Sequence, residues 1–205
     1  MFDAPFRRRF AVAMQRPVSW FVRRGITPIQ CTVAAMVLGV SAGVMVGVGR
    51  PYIGLTLWIG SRILDGLDGL VARAQGQASA FGGYLDITLD MVSYSVMLLG
   101  FARVHPQAMA AWLAILTGYV LVTTSTLALS SALESMARHG GDDRSLQFTP
   151  GLAEAGETTV VYTLFVLAPQ WTNAVAWIWA AMCGVTVVQR TLLARRLLRE
   201  HAPQA

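Results

Sequence analysis

The chain has 205 residues, of which 55% are apolar and 13% charged, a charged share about half that of a soluble domain. Its net charge of +5 is carried by arginine alone, with no lysine. This balance excludes a string of soluble domains. Because the arginines flank apolar runs, it also points to anionic lipid headgroups rather than nucleic acid as the partner.

The first 25 residues hold six arginines and no continuous apolar core, so they do not read as a signal peptide. Phe2, Phe6 and Phe10 recur at helical spacing with Arg7, Arg8 and Arg9 between them, the pattern of a helix lying on a membrane surface. Six apolar segments follow, over residues 28–48, 52–73, 82–102, 108–132, 152–167 and 174–193. Thr27 and Pro28 open the first as cap and first-turn proline. The expectation is an all-α integral membrane protein of six transmembrane helices with an N-terminal amphipathic interfacial helix. Residues 1–25 form the juxtamembrane segment, 26–199 the membrane domain and 200–205 a cytoplasmic tail. Cys31 and Cys183 both fall inside spans and read as packing residues, not a disulfide or a zinc site.

Arginine placement orients the set. With the N-terminus inside, Arg50 and Arg103 alone fall in outer loops, Arg62 falls within the second span, and the other thirteen lie in or beside inner segments. That is a positive-inside bias, and it puts both termini in the cytoplasm.

Four of the seven aspartates, Asp65, Asp68, Asp86 and Asp90, lie among apolar runs at the inner end of the second and third spans. Each costs about 2.5–3.5 kcal/mol at mid-membrane. Asp65 and Asp68 are three apart and Asp86 and Asp90 four apart, so each pair shares a helical face. Two facing helices would gather four carboxylates, which repel one another and call for a cation. Hard oxygen ligands suit Mg²⁺, Mn²⁺ or Ca²⁺, with room for two ions. Gly66, Gly69, Gly82, Gly83 and Ala72 keep the surrounding surface low, and Arg73 offers a cation to a phosphate. Together these describe a pyrophosphate site beside the membrane.

The run Asp65-x2-Asp68-Gly69-x2-Ala72-Arg73-x8-Gly82-x3-Asp86-x3-Asp90 resembles the signature of the CDP-alcohol phosphatidyltransferases, and within it an uncharacterised bacterial inner-membrane branch. The resemblance implies transfer of a phosphatidyl or related lipid-phosphate group from a CDP-linked lipid to an alcohol, releasing CMP. It implies Mg²⁺ or Mn²⁺, two ions, bound by Asp65, Asp68, Asp86 and Asp90. Asp90 would also serve as general base on the acceptor hydroxyl. Asp65, Asp68, Gly69, Ala72, Arg73 and Gly82 would form the CDP pocket. It further implies a homodimer in a bacterial inner membrane, with the site on the cytoplasmic side.

The acceptor is less determined. Met91 stands directly after the last motif aspartate, where relatives using phosphorylated inositol often carry arginine. The run from Asp90 through Met91, Val92, Ser93 and Tyr94 is mildly similar to the corresponding region of phosphatidylserine synthases. At the opening of the first span, Thr27-Pro28-Ile29-Gln30 departs from the family's Thr-Pro-Asn. Glu154, Glu157 and Thr158 gather at the inner start of the fifth span. They either stabilise a helix N-terminus or form a pocket for a cationic or polyhydroxyl alcohol. Two other functions use clustered acids. An intramembrane prenyltransferase usually needs two separated aspartate-rich motifs, and a divalent-cation transporter needs an acidic relay across the membrane; this chain has one motif on one side.

Overall fold

The computed structural model describes residues 12–140 and 155–200, and every regular element among them is helical. Helix α1 spans Gln15–Arg23, α2 Pro28–Gly47, α3 Pro51–Gln75, α4 Ala80–Val104, α5 Met109–Gly140, α6 Ala155–Leu167 and α7 Thr172–Glu200. Single 3₁₀ turns, Pro106–Ala108 and Pro169–Trp171, lead into α5 and α7.

Local chemistry accounts for the boundaries. Thr27 caps α2 by accepting from Gln30 N–H at 3.3 Å, while Gln30 Oε1 accepts from Thr27 N–H at 2.9 Å. Gln30 therefore completes a capping box, while Ile29 before it stands where the family pattern has asparagine. Gly76 ends α3 with φ 64°, a left-handed conformation glycine takes at little cost. Ser79 starts α4 by accepting from Gly82 N–H at 3.0 Å. The acid-bearing helices are thus joined by a short link over residues 76–79.

Among the described residues, four stretches are long and apolar enough to cross a membrane: Pro28–Gly47, Ala80–Val104, Pro106–Met136 and Pro169–Arg199. The sequence segments over 52–73 and 152–167 differ from these. Helix α3 is 25 residues long but concentrates Arg62, Asp65, Asp68 and Arg73 in its second half. The described part of α6 is a shorter apolar helix, Gly156–Leu167. Helix α5 runs about two turns past the expected end because no glycine or proline interrupts it between Ala132 and Gly140. The residues of the Phe2–Phe6–Phe10 pattern lie outside the described residues, whereas the later part of the segment is helical as α1 and packs against α3.

Helix α2 packs along both α3 and α4. Its face toward α4 is stripped to glycine: a Cβ on Gly43 would stand 2.5 Å from the Val96 carbonyl oxygen, and one on Gly39 would stand 2.6 Å from Ser93 Oγ. Close backbone approach of this kind is how helices associate where lipid removes the hydrophobic drive. Helix α5 packs on α7, and α6 reaches both α3 and α7. The two groups meet in an aromatic core: Trp58 of α3 lies 4.9 Å from the Tyr162 ring of α6, and Phe101 of α4 lies 5.1 Å from Phe165. Three of its polar groups pair with one another. The Tyr119 and Tyr162 hydroxyls are 3.2 Å apart, and Trp179 Nε1 donates to the Tyr119 hydroxyl at 2.9 Å. Cys31 and Cys183 are free and buried, as their placement in spans predicts.

Candidate active site

The spacing of the aspartates becomes geometry where α3 and α4 approach. Asp65, Asp68 and Asp86 each offer an oxygen, and these oxygens lie within 4.8 Å of one another. Asp68 is the most enclosed, 8% exposed. Its Oδ2 accepts from Thr32 Oγ1 of α2 at 2.6 Å, a short bond of the charge-assisted kind.

Asp90 takes a different partner. Its Oδ1 receives Arg62 Nη1 at 2.8 Å, and the same nitrogen stands 3.5 Å from Asp65 Oδ2. Of the four aspartates, Asp65, Asp68 and Asp86 form the close group, and Asp90 beside them is tied to a guanidinium. The reason is proximity of charge: Arg62 is three residues before Asp65 and so shares its helical face. Arg62 is held in turn by the Trp58 and Tyr94 rings, whose centroids lie 4.7 Å and 5.1 Å from its guanidinium carbon.

The small residues leave open space rather than tight packing. A Cβ on Gly69 would meet nothing nearer than the Arg73 guanidinium at 3.5 Å, and one on Gly83 would meet nothing within 4 Å. Gly82 is more confined, 3.2 Å from Ser79 Oγ. Ala72 is half-buried and Arg73 exposed, with its guanidinium beside Gly69.

The second constellation divides. Glu154 lies outside the described residues. Glu157 is partly exposed in the first turn of α6, where the helix dipole favours it. Thr158 is buried and shares a side-chain hydrogen bond with Tyr119 in the aromatic core.

Two members of the site are not announced as partners by the sequence. Thr32 is one of two hydroxyls, with Ser41, in an apolar helix, indistinguishable there from a packing threonine. Arg62 is legible only as a charge inside a span. Its i, i+3 relation to Asp65 is the available signal, while its bond to Asp90 crosses between helices.

The CDP-alcohol phosphatidyltransferase family model matches residues 25–189. The chain belongs to that family. It is an enzyme of phospholipid biosynthesis in a membrane. It is similar to the inner membrane protein YnjF of Escherichia coli K12, with 31% identity over 195 residues covering 93% of each chain. Its fold is similar to two crystal structures of the Mycobacterium tuberculosis phosphatidylinositol phosphate synthase PgsA1. The one in complex with manganese and citrate is 20% identical, with a TM-score of 0.70 and 88% of each chain covered. The one with CDP-DAG bound is 22% identical, with a TM-score of 0.70, covering 87% of this chain and 92% of the other.

The donor set of this phosphatidyltransferase fits a hard divalent cation. Three carboxylate oxygens and no sulfur or imidazole suit Mg²⁺ or Mn²⁺. Bonds of about 2.0–2.1 Å to Mg²⁺ bring opposed oxygens no farther apart than about 4.2 Å. The 4.8 Å spread thus needs only a small inward turn of side chains.

Proposed function

We propose that this enzyme transfers the lipid phosphate of a CDP-linked lipid, CDP-diacylglycerol or a close relative, to an alcohol and releases CMP. The observation that carries the reading is the convergence of Asp65, Asp68 and Asp86 beside an accessible Arg73 and unfilled glycines. The PgsA1 structures, one with manganese and one with CDP-DAG, support the ligand classes.

Asp65, Asp68 and Asp86 would hold a divalent ion, Mg²⁺ or Mn²⁺, which supplies neutralisation of the pyrophosphate and of the charge developing on the departing CMP. Arg73 would donate to a phosphate oxygen at the rim of the site. Gly69, Ala72 and Gly82, with Asp65 and Asp68, would let the nucleotide lie close to the backbone. Asp90 would accept the hydroxyl proton of the alcohol as its oxygen bonds to the lipid-bearing phosphorus and the bond from that phosphorus to the CMP oxygen breaks. Glu157, with Glu154 before it, would face the acceptor; a cationic or polyhydroxyl alcohol suits such a pair.

The setting follows from the same reading. Six spans, with the apolar segments over 52–73 and 152–167 joining the four apolar stretches, would put both termini and the acidic end on the cytoplasmic face of a bacterial inner membrane. Residues 1–25 would lie along that surface, residues 26–199 would form the membrane domain as a homodimer, and 200–205 a tail.

The test is CMP release by purified protein given CDP-diacylglycerol and a panel of free, phosphorylated and amino alcohols, with and without a chelator. Release that requires both a dication and one class of alcohol is expected. No release with any alcohol, alongside transfer from a prenyl diphosphate or robust cation flux through liposomes, would overturn the proposal.

A further inference from the structure

Helix α1 is two-sided. Pro17, Val18, Phe21 and Val22 are half-buried, whereas Arg16, Ser19, Trp20, Arg23 and Arg24 are exposed. Arg16, Trp20 and Arg24 stand at i, i+4 and i+8 and so form one stripe, with Arg23 beside it. Trp20 is 47% exposed, and the Arg24 guanidinium carbon lies 5.4 Å from its ring centroid. Residues 12–25 contain no Asp or Glu. Among the described residues, no carboxylate pairs with Arg16, Arg23 or Arg24. Three cations and an indole thus face outward with nothing in the fold to neutralise them.

The place of this stripe says what it meets. Gly25, with φ 68°, closes α1, and Ile26 N–H donates back to the Phe21 carbonyl at 3.1 Å. Thr27 then caps the 20-residue apolar helix α2. Arg23 and Arg24 therefore stand three or four residues before the chain enters hydrocarbon, at the depth of lipid phosphates, and an indole favours the same depth. The other side of the elbow is held by α3. Gln75 Nε2, on the last residue of α3, donates to the Ile26 carbonyl at 2.9 Å. Gln75 follows Arg73 by two residues, so the α1–α2 elbow is tied to the turn that carries Arg73.

We propose that the Arg16–Trp20–Arg24 stripe, with Arg23, is a docking surface for the anionic phospholipids of the bilayer, and that its occupation, passed through the Gln75–Ile26 bond, tightens binding of the CDP-lipid. The proposal rests on the reading above in which residues 1–25 lie along the membrane and Arg73 meets a phosphate. Attraction of one arginine to an anionic surface is worth about fivefold in binding, and three act together on one short helix. Held there, α1 fixes the elbow and the end of α3, so Arg73 has less freedom to lose when the substrate phosphate arrives.

The experiment places the full-length protein in phosphatidylcholine nanodiscs, with phosphatidylglycerol absent or replacing part of the lipid, at saturating Mg²⁺. Hydrogen exchange of the α1 amides reads docking, and CMP release over a range of CDP-diacylglycerol reads its consequence. In the wild type, phosphatidylglycerol should slow exchange and lower the KM for the CDP-lipid about fivefold or more, with kcat unchanged. The triple variant Arg16→Gln/Arg23→Gln/Arg24→Gln should match the wild type in pure phosphatidylcholine and show neither response. Arg50→Gln, at the opposite end of α3, should keep both responses. Gln75→Leu should keep the slowed exchange and lose the KM response. Unslowed exchange in the wild type, or equal slowing in the triple variant, would overturn the docking surface. Slowing by an oligonucleotide or an acidic peptide, but not by phosphatidylglycerol, would overturn it in favour of another partner. A full KM response in Gln75→Leu would overturn the link to α3. Exchange needs no turnover, so a protein that releases no CMP in any nanodisc would lose the transferase reading while the docking surface is still decided.

Discussion

Two sets of glycines in this molecule look alike in sequence and serve opposite ends. At the α2–α4 crossing, Gly43 and Gly100 are in backbone contact, and a Cβ on either would strike main-chain atoms of the facing helix. At the acidic end, Cβ atoms on Gly69 and Gly83 would meet only ordinary contact or open space. The first set holds the helices together; the second leaves a surface that the protein itself does not fill. A glycine in a membrane helix thus marks a close approach, and only the neighbouring atoms tell whether the thing approaching is another helix or a ligand.

The comparison can be broken at either end. The largest effect belongs to the acidic end: Asp90→Asn should cut CMP release about 10²–10⁴-fold while thermal unfolding in detergent stays near that of the wild type. Near-normal turnover would remove Asp90 from its role as base. Next is the crossing, where Gly43→Val drives a side chain into the Val96 carbonyl. Overpacking of this kind costs about 1–3 kcal/mol or more, so the unfolding midpoint should fall clearly; an unchanged midpoint would mean that the helices separate easily. Thr32→Val deletes the donor to Asp68 and should weaken Mn²⁺ binding about tenfold, with little change in fold; unweakened binding would leave Thr32 a packing residue. Smaller still is Gly83→Ala, which should alter stability by no more than about 1 kcal/mol. If that position faces the nucleotide, the KM for the CDP-lipid rises; an unmoved KM would place Gly83 outside the pocket. Glu157→Gln, at a partly exposed helix start, should shift acceptor preference while stability stays within about 0.5 kcal/mol.

Much of this is legible along the chain because it depends on short-range geometry. The capping of α2 by Thr27 and Pro28, the packing role of the cysteines and the two aspartate pairs all follow from residues a few positions apart. The orientation of Thr158 is not legible: its neighbours suggest a polar pocket, yet its hydroxyl is turned to Tyr119 on another helix. The crossing of Thr32 to Asp68 likewise joins residues 36 apart in the chain, and no local pattern announces it.

By itself, the sequence determined which acids share a face, since an α-helix turns through a set angle at every residue and i, i+3 or i, i+4 neighbours must align. It also determined the apolar lengths and most of the helix ends. The tertiary structure alone decided how those faces meet. The depth of the α2–α4 contact, permitted by glycine, sets where α4 stands beside α3. That placement sends Asp86 to Asp65 and Asp68, and Asp90 to Arg62.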